Sequence, residues 1–331
     1  MKILISGGSG FIGSHFVDYI LTNTDWDIVL IERLNYSGDL GRIAELDSYQ
    51  KEPKRVTVVY HDLRGVLHES IAKRIGEPDY IVHFASSTHV DRAIVDPLPF
   101  YYDNVIGTAN LVEFAKKLSN LKLFVNFSTD EVFGAAEVGV YHKEGSPFNP
   151  SNDYSAAKAG QEMVAKAAFA THKLPIINTH TMNNYGERQH PEKFLPKTVK
   201  SVLNGGEMPI YATVDTVSGE VKEVGSRVWM YAGNTADAIY FLLQHATPGE
   251  DYNIIGPDEY DIITLANKVA EIVGKPLIPK YVGFYGARKG HDRRYALDGS
   301  KLKAMGWTSP TNFDESLRKT VEFTINNSQW M

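Results

Sequence analysis

Two hydroxyls and two carboxylates follow one another in Ser128-Thr129-Asp130-Glu131. The apolar run Leu121 to Val125 ahead of them reads as a buried strand, which puts the tetrad at its carboxyl end. In an open α/β sheet, ligands bind at that end of the strands. Stability alone rarely puts an Asp-Glu pair at the mouth of a buried strand, so acid-base work is the first reading. Further along, Tyr154 and Lys158 stand at i and i+4 of a helical stretch. That spacing puts them on one face, where the ammonium can reach the phenol. A nearby cation lowers a phenol pKa and lets it act as a base. Such a pair on its own is as readily structural; its place in the chain decides.

The elements before it supply that place. Residues 2–6 read as a strand buried on both faces, followed by Gly7-Gly8-Ser9-Gly10-Phe11-Ile12-Gly13 and a helical pattern to about Thr22. Gly7 suits a tight turn, Gly10 a close backbone approach to a pyrophosphate, and Gly13 close helix–strand packing. Phosphates then sit at the positive helix end, beside Phe11 and Ile12. A second strand ends in Glu32, about 20 residues on, where a ribose 2′-hydroxyl is bound. Glu32 favours NAD over NADP, whereas Arg33 and Arg42 pull the other way. A third strand ends at His61-Asp62-Leu63, where Asp62 either meets an adenine or belongs to a surface turn. Tyr80 to Phe84 is a fourth strand, and it runs into a loop holding Thr88 and His89.

Strands and helices alternate to about residue 180, which implies an α/β fold with a Rossmann-like, doubly wound parallel sheet. Asp153 is expected to cap the helix that carries Tyr154. From about 181 the pattern turns irregular, with a hairpin tip expected at Ser218-Gly219 and a basic turn over 288–294. The expected division is a cofactor unit of 1–180 plus about 229–250. A smaller, discontinuous α/β substrate unit takes 181–228 plus 251–331.

The bulk properties narrow the class. With 43% hydrophobic and 22% charged residues in 331, a packed core is expected. A net charge of −6 argues against a general nucleic-acid binder. There is no cysteine, so disulfides and thiolate metal sites are excluded, no metal centre is expected, and a reducing cytoplasm fits. The amino terminus lacks a signal-peptide core, and no apolar run approaches the ~20 residues that span a bilayer.

On these motifs the chain resembles the extended short-chain dehydrogenase/reductases, and among them the nucleotide-sugar 4,6-dehydratases. The glycine loop and Tyr154 to Lys158 mark the wider group. Thr88-His89-Val90-Asp91-Arg92, Ser128 to Val132, Asn183-Asn184-Tyr185-Gly186, Pro191-Glu192-Lys193 and the run 290–295 are sharper. The resemblance implies NAD as cofactor and a nucleotide hexose as substrate, dTDP-glucose first and UDP-glucose next. It implies that Tyr154 takes the 4-hydroxyl proton, with Lys158 depressing its pKa and holding the nicotinamide ribose. Glu131 would remove the C5 proton, and a protonated Asp130 would donate to the departing 6-hydroxyl. Like charges held close would raise the Asp130 pKa. Thr129 and Ser128 would bind the reacting hydroxyls. Asn184, Lys193, Arg227 and Arg293 would hold diphosphate and sugar, with Glu192, Thr88 and His89 nearby; for each cation a solvated surface role is the alternative.

Departures cluster where base and diphosphate are recognised. Glu187-Arg188 replaces proline and an aromatic, Ala232 to Thr235 replaces an acidic stretch, and Asp258 stands for an asparagine. The segment 213–226 is longer than the family norm, and the loop 135–152 shorter. The rival readings are a 4-epimerase or decarboxylase that leaves the acids idle, and a non-catalytic NAD-binding sensor. The group's usual homodimer, a four-helix bundle, would use about 101–118 and 154–171.

Overall fold

The computed structural model describes residues 1–215, 218, 220–283 and 294–331. Its strands are β1 (Lys2–Ser6), β2 (Asp27–Glu32), β3 (Val56–Tyr60), β4 (Tyr80–His83), β5 (Leu123–Thr129), β6 (Ile176–Thr181), β7 (Asn183–Tyr185), β8 (Glu207–Val214), β9 (Val221–Val224), β10 (Ser226–Tyr231), β11 (Asp251–Ile254), β12 (Asp258–Asp261), β13 (Ile278–Gly283) and β14 (Arg294–Tyr295). Seven of them form one parallel sheet in the order β11-β6-β5-β4-β1-β2-β3. Apolar runs such as Ile3-Leu4-Ile5 suit this sheet because helices cover both of its faces. Ile3, Ile5, Leu30, Val82 and Val125 pack in one core with Phe16, Val17 and Ile20 of the helix Phe11–Asn23 and with Ile239 and Leu242 of the helix Ala232–His245. Leu4, Val29, Ile81 and Phe124 turn the other way, toward Leu111 and Val112 of the helix Gly107–Ala115 and Ala165 and Ala168 of the helix Asp153–His172.

The strand order reverses at β1, which lies between β2 and β4. A crevice opens at such a point, outside the carboxyl ends of the strands. The long helix behind it begins with a reciprocal cap. Asn152 accepts from the Ser155 backbone N–H, and Ser155 accepts from the Asn152 N–H. The cap is therefore Asn152 and not Asp153, which is the first helical residue. Leu98–Tyr101, a wider π turn Tyr102–Ile106 and Gly107–Ala115 continue as one helix beside it. Gly160 permits the approach, because a Cβ there would lie 2.9 Å from Val105.

Two smaller sheets complete the chain. β10 pairs with β12, β14 and β7, and β8 lies between β13 and β9. Two expected assignments change here. β10 begins at Ser226 and belongs to a smaller sheet, although residues from about 229 were expected in the larger unit. Asp251–Ile254 was expected in the smaller unit, yet it is the seventh strand of the large sheet, beside β6. A four-residue strand carries too little pattern to announce its partner. Ser218 is described at the expected hairpin tip, while Gly219 and Arg293 lie outside the described residues. No helix among the described residues is long and apolar enough to cross a membrane.

Candidate active site

The glycine loop joins β1 to the first helix with little room to spare. Gly7 has φ +71°, and a Cβ there would lie 2.7 Å from the Ala85 nitrogen. A Cβ on Gly13 would lie 2.2 Å from the Gly7 oxygen, so strand end and helix start touch. Gly10 caps the helix without any side chain. The helix N-terminus therefore opens, with Gly7, Phe11, Ile12 and Gly13, into the large cleft. Bare backbone N–H groups at a positive helix end fit a dinucleotide's phosphates.

A recess adjoins this loop, lined by Glu32, Asp62 and Leu63. The buried Glu32 carboxylate accepts from the Ser9 N–H at 2.9 Å and the Ser9 hydroxyl at 2.6 Å. Burial still pushes it up to about 7, against the pull of those hydrogen bonds. Arg33 is clasped by both oxygens of Asp103, at 2.7 and 2.8 Å. Arg42 is buried and donates to the carbonyls of Arg188, Ser9 and Ser37. Both guanidiniums that opposed an NAD preference are thus engaged within the protein. Asp62 closes a turn by accepting from the Arg64 N–H at 3.0 Å, and the same residue lines the recess.

At the end of β5 the two carboxylates part company. Asp130 is buried; its Oδ1 accepts from the Thr129 hydroxyl at 2.9 Å, and its Oδ2 has no hydrogen-bond partner among the described residues. Burial pushes Asp130 up to about 6, while the Thr129 hydrogen bond and the Arg227 charge pull down. The raised value was expected from like-charge crowding; burial raises it instead, and the neighbouring groups that act on it all pull down. Glu131 is only partly buried and accepts from the Tyr295 hydroxyl at 3.3 Å.

Tyr154 is buried in the same cleft, and its phenol is held above its usual range by burial and then by the Glu131 charge. The Lys158 ammonium donates to the Phe127 carbonyl at 2.7 Å and to Gln161 Oε1 at 2.6 Å. Burial pulls Lys158 down to about 7, and the Glu162 charge opposes this. Lys158 was expected to depress the phenol; instead burial and the acid charges set it high, and the lysine is tied to the strand and to its own helix.

Thr88, Ser128, Asn184, Glu192 and Lys193 line the cleft with the tetrad. His89 pairs with Glu192 at 3.5 Å. Arg227 is buried behind the acids, its guanidinium 4.7 Å from the centre of the Tyr295 ring. The residues overlooked in the sequence are Gln161 and Glu162, which bind Lys158 and Ser128 respectively. Their signal was two polar side chains, three and four positions past Lys158, on an alanine-rich helix face turned to the core. Tyr36, Gln189 and His190 also line the cleft.

A family model described as GDP-mannose 4,6 dehydratase matches residues 4–320. The chain is 35% identical to the low-salt glycan biosynthesis protein Agl12 of Haloferax volcanii, over 99% of this chain and 100% of that one. It is 34% identical to the dTDP-glucose 4,6-dehydratase of Salmonella typhimurium, over 100% of this chain and 94% of that one. Among solved structures, the dTDP-glucose 4,6-dehydratase DesIV of Streptomyces venezuelae, with NAD bound, aligns with a TM-score of 0.88 and 33% identity. That alignment covers 100% of this chain and 98% of DesIV. With the match running through both the glycine loop and the paired acids, the chain belongs to the GDP-mannose 4,6-dehydratase family, among the nucleotide-sugar 4,6-dehydratases of the extended short-chain dehydrogenase/reductases.

Proposed function

We propose that this chain binds NAD and converts a nucleotide hexose, dTDP-glucose first, to its 4-keto-6-deoxy sugar. The observation that carries this reading is the contrast at the end of β5. A buried, readily protonated Asp130 adjoins a partly solvated Glu131, with Tyr154 in the same cleft. The glycine loop and the uncapped helix start would hold the cofactor's phosphates, and Glu32 with Asp62 and Leu63 its adenosine end. When bound, the cofactor supplies reversible hydride storage, so that oxidation at C4 and reduction at C6 make one redox-neutral turnover.

The protein's own groups move the protons. Tyr154 takes the proton of the 4-hydroxyl, and Lys158 holds the ribose beside it. The keto group acidifies the C5 hydrogen, which Glu131 removes; a proton exchanged with solvent returns to C5 when C6 is reduced. Asp130 gives its proton to the departing 6-hydroxyl, and water leaves. Thr129 and Ser128 orient the reacting hydroxyls, and Lys193, Asn184, Thr88, His89, Glu192, Arg227 and Arg293 serve sugar and diphosphate. The smaller sheets around β8 and β10 form the substrate side. Two copies pair through the helices beginning at Leu98 and Asp153, in the cytoplasm.

Incubation with dTDP-, UDP-, GDP- and CDP-hexoses in D₂O tests the reading. A 4-keto-6-deoxy product carrying deuterium at C5 is expected. A C4 epimer, or unchanged sugar from every donor, would overturn it.

A further inference from the structure

Behind the acid pair, three neighbouring strands align polar side chains. Ser128 of β5 is in register with His180 of β6, and His180 with Asn253 of β11. Strand alternation turns them to the face covered by the helix Asp153–His172, where Glu162 meets them. All four residues are buried. The Asn253 amide nitrogen donates to the carbonyls of His142 and Asp298, each at 3.0 Å. Its Oδ1 therefore faces His180 Nδ1, at 3.0 Å, and that nitrogen must carry the hydrogen. His180 Nε2 lies 2.9 Å from Glu162 Oε2. Burial would lower the His180 pKa, yet the Glu162 charge, with Asp251 and Asn253, raises it. Asp251 itself is answered by Lys166 at 2.8 Å. The ring thus lies between an amide oxygen and a carboxylate. The other oxygen of that carboxylate accepts the Ser128 hydroxyl.

We propose that Glu162, paired with His180, is a positioning residue that turns the Ser128 O–H inward, so that the Ser128 oxygen meets the substrate only as a hydrogen-bond acceptor. A serine hydroxyl has one hydrogen and two acceptor lone pairs. With the hydrogen committed to Glu162, the lone pairs remain for the cleft, which Ser128 lines. The partner must then be a hydroxyl of the sugar that donates. A group that can only accept is rejected at the same place. This rests on the nucleotide-hexose reading. It also gives the buried His180–Glu162 pair, which is weak evidence for stability by itself, a task in the reaction.

Fluorine accepts weakly and cannot donate, so singly fluorinated nucleotide hexoses test the polarity. Each competes against the parent sugar, with wild type and with Ser128→Ala. Leaving a buried acceptor unpaired costs about tenfold in affinity. One fluorine position is therefore expected to weaken binding about tenfold in wild type and less than about twofold in Ser128→Ala. Glu162→Gln provides a second measure. It is expected to lower kcat/KM about tenfold with NAD binding intact, yet to add less than about twofold once Ser128 is alanine, because coupled residues are non-additive. Turnover of the parent sugar with no fluorine position sensitive to Ser128 would overturn this inference alone, and so would losses that multiply. No turnover of any nucleotide hexose by wild type would remove the function and this inference together.

Discussion

Asp130 and Glu131 are neighbours in sequence and opposites in environment. Asp130 is buried with one carboxylate oxygen unpartnered among the described residues, and Glu131 is partly exposed and accepts from the Tyr295 hydroxyl. The β-strand ends between Thr129 and Asp130, and a single 3₁₀ turn follows. That turn leaves the first carboxylate buried and the second partly exposed, both at the cleft. A buried acid beside a partly solvated carboxylate suits an elimination, which needs an acid at one carbon and a base at the next.

The roles can be separated by isotope. Glu131→Gln is expected to bind NAD and sugar, to form reduced nicotinamide, and to stall without deuterium at C5. Asp130→Asn is expected to exchange C5 with solvent but to lose water slowly. Each change should lower turnover roughly 10²- to 10⁴-fold, the usual worth of a positioned acid or base. C5 exchange at the wild-type rate in Glu131→Gln would remove that residue from the role of base.

The glycine loop and the tetrad were legible because each is local: a turn that only glycine can make, and polar groups at the end of an apolar run. Glu162 and His180 were not. They lie 18 positions apart and meet only because β5, β6 and the helix Asp153–His172 bring them together. The cause of the raised Asp130 value was equally hidden, since adjacency suggests repulsion while burial is a property of the fold. For the same reason Arg33 looked available in sequence. Asp103, the group that engages it, lies 70 residues away.

That ion pair makes a prediction about cofactor choice. Glu32→Ala alone is expected to weaken NAD binding, because the Ser9 N–H and hydroxyl both lose their acceptor. It should not improve NADP binding while Arg33 is clasped by Asp103. Adding Asp103→Asn loosens the clasp and keeps an oxygen for the Ser87 hydroxyl, now 2.6 Å from Asp103. The double variant is expected to gain about tenfold or more in NADP affinity over Glu32→Ala, the scale of a hydrogen bond to a charged group. Titration by quenching of protein fluorescence checks this. Equal NADP affinity in the two variants would show that Arg33 does not reach the 2′-phosphate.

Lys158 should leave a mark on stability. Its folded pKa is near 7 against an ordinary 10.5, so the buried charge is carried in full below about 7. Between those values the unfolded chain binds a proton that the folded chain does not, and stability rises with pH across that window. Lys158→Met removes this dependence, though it also removes the bonds to Phe127 and Gln161. The melting temperature of the variant minus that of wild type, both without cofactor, is therefore expected to fall between about pH 7 and pH 10. A difference that stays constant over that range would mean that the lysine does not titrate there.

The proposed pairing of two copies draws on apolar side chains that the fold leaves exposed. Leu98 and Tyr102 lie one turn apart and are 62% and 54% exposed; Ile106 and Met163, on the two long helices, are also exposed. Isolated apolar residues on a surface are ordinary, but a contiguous stripe marks an interaction face. A two-fold axis would set each stripe against its own copy, as closed dimers require. The change to Leu98→Glu with Tyr102→Glu puts like charges on both sides of such an axis. It is expected to give a monomer by light scattering at concentrations where wild type is a dimer, with NAD binding retained because neither residue lines the cleft or its recess. A variant that keeps the mass of wild type would move the interface elsewhere, and a monomeric wild type would remove the dimer.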